Sequence, residues 1–196
     1  MNDNRRTGLA MMLTLLAMFA ASAMAKSEKV AAFTDDIPNF IEYSEFLSSS
    51  GQISKQHMPL LAGMGFEQVI YLALTTNSTA LDKEDELVLA NGMNYVQVAV
   101  DFSKPSLKNF ETVALILKSS SDQKSLLHCQ VNYRASTFSF LYRIIYLGIP
   151  VSMAKADLDK VWTPDPVWYQ FLVSTLAVHG MTHECDSCDW QERDFD

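Results

Sequence analysis

Residues 124–148 read KSLLHCQVNYRASTFSFLYRIIYLG. A short apolar run closes on His128-Cys129, a brief loop follows, and then comes a helix-length stretch that is apolar almost all the way round. An apolar run without polar alternation is the mark of a strand buried on both faces. A helix with no polar side must itself be buried. The pair therefore predicts a covered sheet with this helix packed centrally behind it, ending at Gly148 and Pro150.

The rest of the chain repeats the same grammar. Short runs rich in Val, Ile, Leu and Tyr occur at 69–74 (VIYLAL) and 94–100 (NYVQVAV), matching the run at 124–129. Helical patterns lie between them. Leu107, Phe110, Val113, Ala114 and Leu117 share one face of a helix over 106–118, with Ser106 placed to cap it. DKEDELVLANGM stops at Asn91-Gly92, and a helix near 54–64 stops at Gly65, with Pro59 leaving its start ambiguous. Two further helices are expected, from about Val151 to Val161 and from Pro166 to His179, the second ended by Gly180. Strands alternating with helices predict an α/β fold with a mostly parallel central sheet and helices on both faces.

The first 25 residues stand apart from this pattern. Arg5 and Arg6 precede the apolar stretch LAMMLTLLAMFAASAMA, which closes on Ala23-Met24-Ala25. This is the anatomy of a secretory signal peptide cut before Lys26. The expected organisation is thus a leader at 1–25, one domain at 26–180 and an acidic tail at 181–196, in a periplasmic or secreted protein with no stable membrane anchor after cleavage. Removing Arg5, Arg6 and Asp3 with the leader turns 15 basic and 23 acidic residues into 13 and 22, a net charge near −9. Such a surface repels nucleic acid, and the basic residues are scattered, so nucleic acid is excluded as a partner.

Three cysteines leave an odd count for an oxidising compartment. Cys185 and Cys188, in ECDSCDW, are spaced for a local disulfide, which isolates Cys129 as a free thiol. The same tail carries His179 and His183, so four side chains could in principle ligate zinc. The disulfide is the preferred reading because Gly180 breaks the helix that would align the two histidines. Unless the cysteines staple it, the tail should fray.

Cys129 sits at the carboxyl end of a parallel strand, where open α/β sheets bind ligands. Backbone N–H groups from Gln130, Val131, Asn132, Tyr133 and Arg134, with the positive end of the next helix, would cradle an anion. That environment favours a thiolate nucleophile, and Arg134 adds a planar fork matched to two oxygens of an oxyanion. The alternative is that Cys129 is merely a small buried hydrophobe.

Four segments, SSGQISKQHMPLLAGMGFEQVIYLAL, GMNYVQVAVDF, HCQVNYRAS and WTPDPVWYQF, resemble the phosphatase-like domain related to protein tyrosine phosphatases, known as DUF442 or beta-lactamase hydrolase-like. The resemblance spans roughly residues 45–175. His128, Cys129, Arg134 and Ala135 match its HCxxGxRA loop, while Asn132 replaces the loop glycine. Only four residues separate Cys129 from Arg134, a spacing shared with rhodanese-like sulfurtransferases, whereas tyrosine phosphatases have five.

The resemblance implies a phosphate-monoester hydrolase working through a phosphocysteine, with no metal or organic cofactor. Cys129 would be the nucleophile, Arg134 the oxyanion clamp and Asp101, in VAVDFSKPS, the proton donor to the leaving group. His128 and Ser136 could tune the thiolate, or be a core histidine and a helix cap. Asp165 in WTPDP follows the nucleophile in the chain, so Trp162 and Trp168 are read as packing around a turn. Two alternatives stay open: a sulfurtransferase carrying a Cys129 persulfide, which makes the partner a sulfane-sulfur rather than a phosphorylated substrate, and a degenerate oxyanion-binding module.

Overall fold

The computed structural model describes residues 36–190, so the leader expected at 1–25 lies outside the described residues. Five strands form one sheet in the order β1-β2-β5-β3-β4: β1 (Ile41–Glu42), β2 (Leu47–Ser50), β3 (Gln68–Tyr71), β4 (Asn94–Gln97) and β5 (Ser125–His128). Only β1 runs antiparallel, pairing with β2; every other pair is parallel. β5 is the middle strand, holding His128 opposite Ser50 on one side and Tyr71 on the other. The loop carrying Cys129 therefore leaves the sheet at its centre.

Among the described residues are six helices: α1 (Met58–Gly63), α2 (Glu84–Ala90) and α3 (Leu107–Ser119) connect β2 to β3, β3 to β4 and β4 to β5, and α4 (Tyr133–Leu147), α5 (Val151–Leu158) and α6 (Pro166–Val178) follow β5. Both faces of the sheet are covered. Ile70 and Leu127 join one core cluster with Phe110, Phe138, Leu141, Trp168 and Leu172 from α3, α4 and α6. Val69 and Leu126, one residue back and so on the opposite face, are equally buried but lie outside that cluster, as do Met58 and Leu61 of α1 and Val88 of α2.

Helix ends follow local chemistry. Ser106 Oγ accepts the Asn109 N–H at the start of α3 and Asp165 caps α6 through the Trp168 N–H, each satisfying an otherwise orphaned donor. The expected 54–64 helix resolves into a 3-10 turn, Lys55–His57, followed by α1, in which Pro59 occupies the first turn. Strands β3 to β5 are shorter than the apolar runs suggested, although Val98 and Val100 continue to donate to Tyr71 O and Leu72 O beyond β4.

The tail also has a definite place. Cys185 and Cys188 are disulfide-bonded. Trp190 lies half-buried against Phe140, Tyr169 and His183, with the Lys155 ammonium 4.6 Å from its ring centroid and its indole N–H donated to His183 O. His179 Nε2 engages Glu111 at 2.8 Å while His183 Nε2 engages Tyr169 at 2.8 Å, so the histidines and cysteines of the zinc alternative are committed to separate partners. Among the described residues no helix is long and apolar enough to cross a membrane.

Candidate active site

The loop after β5 is built from both of its neighbours. Cys129 N–H still donates to Ser50 O in the ladder, and the chain then turns out of the sheet. The Gln130 carbonyl accepts from Gln52 N–H, and Val131 bridges Gly51. Gly51 has no room for a side chain: an added Cβ would stand 2.8 Å from Pro38 Cβ and 2.9 Å from Gln130 O. Asn132 adopts φ 72°, the left-handed turn that swings the chain into α4.

With the carbonyls of Gln130 and Val131 engaged on the outside, the amides are left over. Among the described residues, the backbone N–H groups from Gln130 to Ala135 donate to no main-chain acceptor apart from that of Asn132, which belongs to the Gly51–Val131 bridge. The last three belong to the N-terminal end of α4, where such donors are orphaned by geometry and carry the positive pole of the helix. Unpaired N–H groups gathered at a helix N-terminus are the kind of donor set that suits an anion.

Arg134 is nearly buried, at 5% exposure. Its Nε donates to Val100 O at 3.0 Å and its guanidinium carbon lies 5.1 Å from the Phe102 ring centroid, which leaves both Nη groups without an acceptor among the described residues. An aromatic cluster fixes this arrangement. Tyr133 stacks parallel on Trp162 at 4.3 Å, Phe102 contacts Tyr133, Trp162 and Trp168, and the Trp168 indole N–H donates to Phe102 O. Trp162, Trp168 and the capping Asp165 are thus packing and turn residues that tie the 101–106 loop to the anion loop.

Two expected roles meet contrary geometry. Asp101 is exposed, and its Oδ1 accepts from the Ser103 hydroxyl (2.8 Å) and the Ser103 N–H (2.9 Å). Those two bonds, with Lys104 and Arg134 nearby, hold the carboxyl below its ordinary range. A proton donor needs the opposite shift. Ser136 Oγ donates to Tyr133 O at 3.2 Å and so turns back on its own helix, acting neither as a cap nor toward the thiol. Cys129 itself is fully buried, at 0% exposure, within the core cluster that holds Phe110, Phe138 and Trp168.

His128 sits behind the loop. It is fully buried, stacks on Tyr71 with ring centroids 4.8 Å apart, and places Nε2 3.3 Å from Glu84 Oε1, too poorly aligned to count as a hydrogen bond. Burial lowers its pKa to about 3. Glu84, only 4% exposed, is raised to about 8 by burial, an effect moderated by the Gln52 amide at 3.2 Å. Tyr71, Tyr95 and Gln97 join Glu84 in lining a polar cavity of about 330 Å³. Sequence reading missed Glu84, because DKEDELVLA looks like an ordinary acidic first turn of a solvated helix.

Comparison with known proteins bears on the fold that holds this site. No family model matches the chain, and no curated protein matches it. Solved structures do. A DUF442 phosphatase candidate from Shewanella putrefaciens superposes with a TM-score of 0.69 at 28% identity, covering 76% of this chain and 97% of its own. TpbA from P. aeruginosa, in complex with phosphotyrosine, matches with a TM-score of 0.56 at 15% identity over 68% of this chain and 82% of its own. The core catalytic domain of the PP-IP phosphatase SIW14 from S. cerevisiae, in complex with citrate, gives 0.57 at 14% identity over 68% and 83%. The chain has the mostly parallel fold of tyrosine-phosphatase-like cysteine phosphatases.

Proposed function

We propose that this chain is a cysteine-dependent phosphatase acting on phosphate monoesters. The observation that carries the reading is the set of amides of Gln130, Val131, Tyr133, Arg134 and Ala135, which begins beside Cys129 and has no main-chain acceptor among the described residues, together with the Nη groups of Arg134, which have no acceptor there either. The amides and the guanidinium fork hold the nonbridging phosphate oxygens and stabilise charge on them in the transition state. The Cys129 sulfur, as thiolate, attacks phosphorus and forms a P–S bond as the P–O bond to the leaving group breaks. Water then attacks phosphorus, breaking P–S, releasing inorganic phosphate and returning the sulfur to its starting state.

The leaving oxygen needs a proton unless it is a good leaving group. Asp101 is the carboxyl on the loop that Arg134 holds through Val100, and it serves as donor only after its two bonds to Ser103 are released. The burial of Cys129 likewise requires the site to open before a phosphoryl group arrives. These two features favour a second reading, an oxyanion-binding module without turnover. The shared spacing between Cys129 and Arg134 makes sulfur transfer the third arm of the test.

Purified protein is incubated with an aryl phosphate, with an alkyl phosphate, and with thiosulfate plus cyanide, alongside Cys129→Ser and Asp101→Asn. Phosphate release abolished by Cys129→Ser is the expected result. Loss of alkyl but not aryl phosphate hydrolysis in Asp101→Asn assigns the donor. Tungstate binding without phosphate release sinks hydrolysis and leaves the binding module, whereas thiocyanate formation that depends on Cys129 transfers the reading to sulfur chemistry.

A further inference from the structure

Asn132 occupies the turn where the family resemblance expects glycine, and its side chain is not idle. It is fully buried and donates Nδ2–H to the Asn39 carbonyl at 2.6 Å. Asn39 returns the contact, donating its own Nδ2–H to the Val131 carbonyl at 2.9 Å. Both asparagines have positive φ, 72° and 51°. Two main-chain bonds flank the exchange, Gly51 N–H to Pro38 O at 2.6 Å and Gln52 N–H to Gln130 O at 2.9 Å. Residues 38–39, 51–52 and 130–132 are therefore stitched together, and the stitching engages the carbonyl side of the anion loop.

We propose that Asn39 and Asn132 act as a reciprocal strap that fixes the outer, carbonyl face of the loop and so holds its amides in one oxyanion-binding shape. Both are positioning residues; the inference rests on the loop's reading as an oxyanion site. Mere tolerance of a left-handed turn does not account for the arrangement. Glycine enters that region more freely, and burying this amide leaves Asn132 Oδ1 without a partner, a cost that a passive substitution would not carry. The donated bond from Nδ2 offsets it. Asn39 thereby occupies the Val131 carbonyl, beside the Gln130 carbonyl that Gln52 N–H already engages.

The strap is tested in Asn132→Gly, Asn39→Gly and the double variant, using two independent readouts. Hydrogen exchange of the Gly51 and Gln52 amides reports the stitching, and tungstate affinity reports the cradle. Each single variant is expected to speed exchange at both amides about tenfold and to weaken tungstate about fivefold to tenfold, the scale of one lost hydrogen bond. The double variant should be no worse than the more affected single, since both bonds close one unit. Asn132→Asp also lacks the donor but sets a buried carboxylate against the Asn39 carbonyl and the anion, so it should weaken tungstate more than the glycine variant does. Asn39 is exposed, so its replacement leaves the core intact if Asn132 variants fail to fold. Unchanged exchange at Gly51 and Gln52 in Asn39→Gly overturns the strap. Faster exchange in a protein that never binds tungstate keeps the strap and removes the oxyanion reading instead.

Discussion

Glu84 and His128 together should give the protein a stability plateau with a falling alkaline side. Burial raises Glu84 from its ordinary 4.5 to about 8 and lowers His128 from 6.5 to about 3. Whichever of the two groups carries it, the folded pair then holds one proton from about pH 3 to about pH 8. In the unfolded chain the same two groups hold two protons below about 4.5, one up to about 6.5, and none above. Stability rises with pH wherever the unfolded state binds more protons and falls where it binds fewer. The pair therefore contributes rising stability from about pH 3 to 4.5, no slope from 4.5 to 6.5, and a loss from 6.5 to 8. Over that last interval of about 1.5 pH units the loss is ~2 kcal/mol, at about 1.4 kcal/mol per unit. Glu84→Gln removes the raised acid, leaving only His128, so its stability should climb to about pH 6.5 and then stay level. Urea unfolding followed by circular dichroism at half-unit steps from pH 5 to 8.5 reads the difference between the two proteins, in which the other histidines cancel. Parallel curves for the two proteins between pH 6.5 and 8 would refute the shared-proton account.

Three further outcomes follow from contacts around the loop. Arg134→Lys keeps the charge but loses the Nε bond to Val100 O and the planar fork; tungstate affinity, read by calorimetry, should fall about 10-fold to 100-fold, the range of a hydrogen bond to a charged group. Gly51→Ala pushes a methyl group to 2.8 Å from Pro38 and 2.9 Å from the Gln130 carbonyl, and should cost ~1–3 kcal/mol in urea unfolding, while Gly63→Ala, which meets nothing within 4 Å, should cost nothing. Reducing Cys185–Cys188 opens a short loop worth ~2 kcal/mol of local chain entropy; hydrogen exchange should quicken over 181–190 as Trp190 leaves Lys155 and Phe140, with α4 unaffected. Faster exchange throughout α4 would instead make the tail part of the body's cooperative unit.

What the sequence revealed, and what it hid, divides by how local the signal is. The β5–loop–α4 junction was legible because its apolar pattern, its cysteine and its arginine all fall within 25 residues of one another in the chain. The same holds for α3, whose cap and apolar face are encoded side by side. Strand β2 was invisible because three of its four residues are Ser48, Ser49 and Ser50, which carry no β signature. They are buried all the same, Ser49 meeting the Tyr43 hydroxyl and Ser50 donating to Gly51 O. Position was easier to infer than state. Asp101 lies on the expected loop, yet only coordinates reveal the two Ser103 bonds that stabilise its anion.

The deepest gap concerns Asn132. Read along the chain, it is a glycine replaced by a costlier residue, and so a mark of decay. Its acceptor is the Asn39 carbonyl, 93 residues away, and no periodicity or spacing connects the two. The residues between Cys129 and Arg134 declare what chemistry the loop can attempt. Its shape is set from outside, by Asn39 and Gln52 engaging the carbonyls of Gln130 and Val131 and the side chain of Asn132, with Gly51 bonded to Pro38 beside them. A cradle of this kind is made as much by the segment that engages its outer face as by the motif that faces the anion. Changes at residues 38–52 should therefore alter oxyanion affinity without touching the motif at all.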